Sequence, residues 1–246
     1  MAPHRAPTPP PAPSRAHPQA MPAPSRAHPQ AMLALYRARA AHYDAELAPF
    51  EPLRTAAIER LRLRPGQTVL DVGCGTGLSF EPLLQRLGPR GHIVGIEQCP
   101  DMLALARARL KPEQQQQVSL LHAGAADARW RRRADAALLH FTHDIVHTPA
   151  ALDNVFAHLK PGARVVATGL QWAPPWAMAV NAFVMGAALY SISSLEGLDR
   201  PWNRLQERLQ DFAVSDEWLG GVYIASGVNR SHPLARSSHA GQVPHP

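Results

Sequence analysis

One stretch constrains this chain more than any other: Thr68-Val-Leu-Asp-Val-Gly-Cys-Gly-Thr-Gly-Leu78. Val69 to Val72 is a short apolar run suited to a parallel strand covered on both faces. Behind it Leu78, Pro82, Leu83, Leu84 and Leu87 recur at helical spacing, so a helix is expected over 78–87. Gly73, Gly75 and Gly77 between them permit a turn with positive φ and the close approach of a ligand. The helix start behind that turn supplies free N–H groups.

The spacing is G-x-G-x-G. A dinucleotide fingerprint needs G-x-G-x-x-G, and position 78 is Leu, so that fingerprint is not met. Asp71 closes the strand with an acid, unhelpful beside phosphate and well placed for an amine or cation. In these residues the sequence resembles class I S-adenosylmethionine (SAM)-dependent methyltransferases, whose first motif reads much like VLDVGCGTG. A second resemblance is Leu159-Lys-Pro-Gly162 before the fifth strand. The resemblance covers the folded part and implies a Rossmann-like, doubly wound α/β sheet of seven mostly parallel strands with the last antiparallel. It also implies a helical N-terminal cap, a lid insertion after strand 5, and SAM as cofactor.

Further strands follow at regular intervals. Ile93 to Glu97 ends in an acid 20 residues after Gly77, where a carboxylate can accept hydrogen bonds from both ribose hydroxyls. By resemblance Asp71, Gly73, Cys74, Gly75 and Gly77 hold the methionine end of the cofactor and Glu97 its ribose. Gln98, Cys99 and Met102 border the adenine, although Met102 at helical spacing with Leu105, Ala106 and Leu110 also reads as core. The third strand is expected at 118–122. Relatives often carry Gly-Asp after it, with the acid near the adenine amine, but residue 125 is Ala; either Asp127, two positions later, serves on the adenine side, or the backbone carries adenine recognition alone.

The fourth strand, 134–141, delivers His140-Phe-Thr-His-Asp-Ile-Val-His147 to the crevice end of the sheet. Histidine exchanges protons near neutral pH, so His140, His143 and His147 are the catalytic candidates, and His140 also borders the cofactor. A metal reading of His143, Asp144 and His147 lacks a second ligand cluster, and Thr148-Pro149 breaks the helix. No metal is expected. Phe141, Trp172 and Tyr43 are candidates to face the methyl group or substrate; Tyr43-Asp44 stands in the leading helix 32–47 that would cap the cofactor.

Val165 to Leu195 carries no charge, and the nearly apolar stretch 176–195 is long enough to span a bilayer if helical. Pro174, Pro175, Asn181 and Gly186 argue instead for a buried helix or lid, about 173–210, with peripheral membrane contact as the next reading. A polar helix from about 201 to 209 and a strand pair over 212–228, turning at Gly220-Gly221, would close the sheet.

The formal charge of +6 invites nucleic-acid binding, but Arg5, Arg15 and Arg26 fall in residues 1–31 and Arg230 and Arg236 in residues 230–246, stretches without acids. The rest is nearly neutral, about +1. The cluster Arg129, Arg131, Arg132 and Arg133 reads as a solvated loop, so no nucleic-acid partner is expected. Residues 11–21 recur unchanged as 22–32, and a Pro-rich, aromatic-free repeat cannot bury a core. The domain plan is therefore a disordered leader (1–31), a methyltransferase domain (32–230) and a disordered tail (231–246). Two cysteines without disulfide spacing and no apolar export signal fit a cytoplasmic protein. The expected function is methyl transfer from SAM to a small, apolar or lipid-like acceptor. The alternatives are a non-catalytic SAM-binding module or a membrane-surface lipid or quinone methyltransferase.

Overall fold

The computed structural model describes Asp44, residues 47–191, Leu195 and residues 197–230, with Tyr190 and Ser191 described by backbone alone. The leader, the tail, Tyr43 and, save for Asp44 and Leu47, the expected capping helix lie outside the described residues.

Seven strands form one sheet in the order β3-β2-β1-β4-β5-β7-β6. They are β1 (Thr68–Val72), β2 (His92–Glu97), β3 (Val118–His122), β4 (Ala134–His140), β5 (Leu159–Leu170), β6 (Leu209–Glu217) and β7 (Val222–Asn229). β7 runs antiparallel to both neighbours, and the pairs among β1 to β5 are parallel. This is the expected doubly wound sheet. Its order reverses between β1 and β4, which opens a crevice at their carboxyl ends.

Successive strand residues face opposite sides, and both sides are covered. Leu70, Val72, Ala137 and Leu139 join a core with Leu152 and Val155 of α5 (Pro149–Ala157). Val69, Ala136 and Leu138 join another with Ala57 and Ile58 of α1 (Glu51–Arg60) and Leu83 and Leu87 of α2 (Phe80–Leu87). Each buried Leu or Ile contributes about 2 kcal/mol, so two-sided burial fixes the sheet's register. Asp71 shares the parity of Val69 and so faces α1.

The remaining helices are α3 (Pro100–Arg109), α4 (His143–His147), α6 (Met178–Ser191) and α7 (Asn203–Gln206). Three boundaries differ from expectation. α2 begins at Phe80 rather than Leu78, because the Phe80 amide donates to Gly77 at 3.0 Å and prolongs the turn. β5 takes in Leu-Lys-Pro-Gly, with Leu159 paired to Ala134 before an irregularity in the ladder. The polar stretch after Trp202 is helical only to Gln206, and β6 starts at Leu209, whose side chain is buried in the core.

Candidate functional site

The crevice is floored by the turn after β1. Gly73 and Cys74 donate their amides to the Ile96 carbonyl at 2.8 and 3.0 Å, which ties the turn to β2. Gly73 and Gly77 have φ of 70° and 78°. A Cβ at Gly73 would lie 2.6 Å from Thr142 Cγ2, and one at Gly77 2.6 Å from Phe80 Cε2, so both positions require glycine for space as well as for φ.

Glu97 ends β2 with its carboxylate turned back over this turn, accepting the Gly75 amide at 3.1 Å and the Cys99 amide at 2.8 Å. Burial pushes its pKa up, against the lowering effect of these amides. Gln98 and Asp127 come together at the neighbouring strand ends: both side chains lie about 4 Å from the position of a Cβ on Gly124. Met102, in the first turn of α3, is fully buried.

Behind the turn, α1 delivers a residue that the sequence reading missed. Arg54 is 4% exposed, donating from Nε to Glu51 at 2.9 Å and from Nη1 to Ser79 Oγ at 3.3 Å, while its buried Nη2 has no partner. Its guanidinium acts electrostatically on Asp71 and on His140. Asp71 is itself buried with Oδ2 unpartnered, and burial, opposed by Arg54 and aided by Glu97, pushes its pKa up to about 7. The signal for Arg54 was its position: with Leu53, Ala57, Ile58 and Leu61 it falls on the apolar face of its helix, where a charged side chain is rarely buried without a ligand or partner.

The other wall is the end of β4. His140 lies beside Thr168 of β5 in the ladder, and both ring nitrogens of His140 and the Thr168 hydroxyl are buried without partners. Burial, reinforced by Arg54, holds the His140 pKa well below the imidazole range, so the ring is neutral. Phe141 follows with φ of 54°, its ring edge-on to His140 at 4.8 Å. A non-glycine residue in the left-handed region marks stored strain at this strand end. Thr142 then sets its methyl against Gly73 and leaves its buried hydroxyl unpartnered.

The three histidines part at this point. α4 turns Thr142 and Ile145 toward Gly73, whereas His147 packs against Gly197. The His143 and His147 rings lie with centroids 4.2 Å apart, tilted 32° to each other, and line a polar cavity of about 610 Å³ with Arg200, Arg204 and Glu207. Burial, His143 and Arg204 bring the His147 pKa down to about 4. His140 therefore belongs to the buried group with Arg54 and Asp71, and the other two imidazoles to a cavity on the far side of a one-turn helix. Among the described residues no cluster of metal-ligating side chains forms.

Asp44 reaches the site from the N-terminal side, accepting from Thr76 Oγ1 at 2.5 Å and pairing with Arg109, whose Nε donates to the Thr76 carbonyl at 2.9 Å. Phe141 and Trp172 meet in a separate apolar cluster with Phe50, Val184 and Leu198, above the crevice and beneath α6.

Residues 69–162 match the family model described as "Methyltransferase domain". The chain is 31% identical over 116 residues to a demethylmenaquinone methyltransferase of Lactococcus lactis, covering 46% of each chain, and 26% identical over 134 residues to one of Listeria welshimeri, covering 53% of this chain and 57% of that one. It thus spans about half the length of the curated relatives it matches. Among solved structures, the N-methyltransferase NodS of Bradyrhizobium japonicum in complex with S-adenosylhomocysteine superposes with a TM-score of 0.61 at 17% identity, covering 81% of this chain and 99% of NodS. A chain of the Haloferax volcanii complex between the Trm112 methyltransferase activator and a methyltransferase gives 0.62 at 16% identity, covering 80% and 98%. These likenesses show the fold.

Proposed function

We propose that this chain, whose residues 69–162 match a methyltransferase domain, acts as a class I SAM-dependent methyltransferase and transfers a methyl group from SAM to a small apolar acceptor of the quinol type. The observation that carries the reading is a pair of opposite, buried and unsatisfied groups at the glycine turn, Arg54 Nη2 and Asp71 Oδ2. Orphaned buried polar atoms cost about 1–3 kcal/mol each, more when charged, and persist where a ligand satisfies them. An amino acid moiety carries both complements: its carboxylate suits the guanidinium fork and its ammonium the Asp71 carboxylate.

The remaining assignments follow the walls of the crevice. Glu97 accepts the ribose hydroxyls, Gln98, Met102 and Asp127 border the adenine, and Gly73, Cys74, Gly75 and Gly77 let the backbone approach. Bound there, SAM supplies a sulfonium-activated methyl group, so an in-line approach of the acceptor removes most of the barrier. Phe141 and Trp172, with Phe50, hold an apolar acceptor above the crevice, and aromatic faces suit a developing or existing cation. His140, neutral and with both ring nitrogens unpartnered, is placed to accept a hydrogen bond from the acceptor and orient it, while its lowered pKa opposes full proton transfer to the ring. The names of the curated relatives and the apolar lining above the crevice support the quinol class.

Calorimetric titration of the full chain with S-adenosylhomocysteine, with NAD as control, tests the cofactor; methylation of a demethylated quinol tests the acceptor. Tight binding of the first ligand only is expected. A folded chain that binds neither would overturn the proposal.

A further inference from the structure

Among the described residues, every exposed large apolar side chain but Leu105 gathers at one place, on α6 and the β6–β7 tip. α6 buries Val184 and Ala188 against the body of the protein, yet its outward face carries Met178, Phe183 and Leu189, with Trp176 just before it. A helix on a protein surface ordinarily turns charged or polar residues to water. This one does not: Trp176 is 75% and Leu189 68% exposed, and no charged residue occurs from Val165 to Leu195. Asn181, the polar residue among the described side chains of α6, is turned inward, accepting the Ala173 amide at 2.9 Å and donating to the Ala173 carbonyl at 3.2 Å.

The tip beside it is built the same way. Trp218 and Leu219 both adopt left-handed backbone, with φ of 49° and 54°, and Leu219 is 73% exposed. Holding two large side chains outward in a conformation that costs each about 1 kcal/mol or more is a feature a merely soluble turn has no use for. Between helix and tip lies an apolar cavity of about 440 Å³ lined by Ala179, Val180, Phe183, Trp218 and Leu219. The patch is continuous with the site: Trp218 stacks on Phe50 at 4.7 Å, and Phe50 meets Phe141 at 5.0 Å.

We propose that this surface seats on an anionic lipid bilayer, from which the acceptor enters the crevice past Phe50 and Phe141. The proposal rests on the apolar-acceptor reading above. Four observations bear on a bilayer lying against this surface rather than a protein partner or a spanning helix. Along the exposed face of α6 the described side chains offer no charged or free polar group to fix a partner's register, where protein interfaces carry a polar rim. α6 has 14 residues, about 21 Å of helix, too short to cross hydrocarbon about 30 Å thick and suited to lying in the interface. No helix among the described residues is long and apolar enough to cross a membrane. Residues 1–31, which precede Phe50 in the chain, carry Arg5, Arg15 and Arg26 and no acid, a charge complementary to anionic headgroups.

Flotation of the full chain with vesicles of phosphatidylcholine alone and of phosphatidylcholine with phosphatidylglycerol tests this, together with the variant Leu189→Asp/Leu219→Asp. The wild type is expected to float with the mixed vesicles, and the variant to bind them at least about tenfold more weakly, with unchanged melting temperature and S-adenosylhomocysteine affinity. A wild type that stays in solution while binding S-adenosylhomocysteine overturns the membrane proposal and leaves the cofactor reading intact; loss of S-adenosylhomocysteine binding sinks the latter instead. Flotation undiminished in the variant, or concentration-dependent dimerisation that the same substitutions abolish, also overturns it.

Discussion

Glu97 accepts the amide of Gly75 at 3.1 Å, joining the carboxyl end of β2 to the middle of the glycine turn. One carboxylate thereby shapes the glycine turn, and in the proposed cofactor pose it is the group that accepts the ribose hydroxyls. Glu97→Ala should weaken S-adenosylhomocysteine binding by about 1.5–3 kcal/mol, the range for hydrogen bonds to a charged group. Calorimetry of the full chain checks it; unchanged affinity would remove the ribose assignment.

Gly73 and Thr142 couple the two walls of the crevice. Gly73→Ala places a methyl 2.6 Å from Thr142 Cγ2 at a φ of 70°, which should cost about 1–3 kcal/mol of stability. Combining it with Thr142→Ser, which removes that methyl and keeps the hydroxyl, should relieve the clash and leave the backbone strain. Thermal unfolding of the single and double variants reads the difference. Equal destabilisation of the two would show that no steric coupling joins the walls.

The glycine turn and the acid at the end of the second strand were legible because backbone need and two-sided burial write themselves directly into residue type, whereas the seven-stranded sheet with its antiparallel last strand followed from the family resemblance. Arg54 was not legible, since an arginine on a helix reads as surface until its register against Leu53, Ala57 and Ile58 is counted. Nor could composition separate His140 from His143 and His147. They are neighbours in sequence, and it is the turn of α4, with Thr142 against Gly73, that sets the latter two in the cavity beside Gly197. The extent of the polar helix after Trp202 was overread because its residues suit helix and exposed edge strand equally, and the burial of Leu209 decides for the strand.

Arg54→Lys keeps the charge and loses the planar fork. A lysine cannot hold Glu51, Ser79 and a carboxylate at once, so cofactor affinity should fall by about 1.5–3 kcal/mol while the sheet stays folded. Titration with S-adenosylhomocysteine and with its decarboxylated analogue separates the roles. The analogue should bind wild type and variant alike; an equal loss for both ligands would make Arg54 structural.

Asp71 should make the unliganded protein less stable as the solution turns neutral. Its pKa stands at about 7 in the fold against an ordinary value of 3.8, so the folded state keeps a proton that the unfolded chain releases. The stabilising contribution is complete below the ordinary value and is lost as pH rises through about 7; at about 1.4 kcal/mol per unit it amounts to roughly 4 kcal/mol at most. Asp71→Asn should flatten the dependence of unfolding free energy on pH over that window. A cofactor ammonium beside Asp71 favours the carboxylate, so S-adenosylhomocysteine binding near pH 7 should release a proton. Titrations of the wild type in two buffers of different ionisation enthalpy should then give different apparent heats, and those of Asp71→Asn should not. Matching heats for the wild type would mean that Asp71 does not meet the ligand's amine.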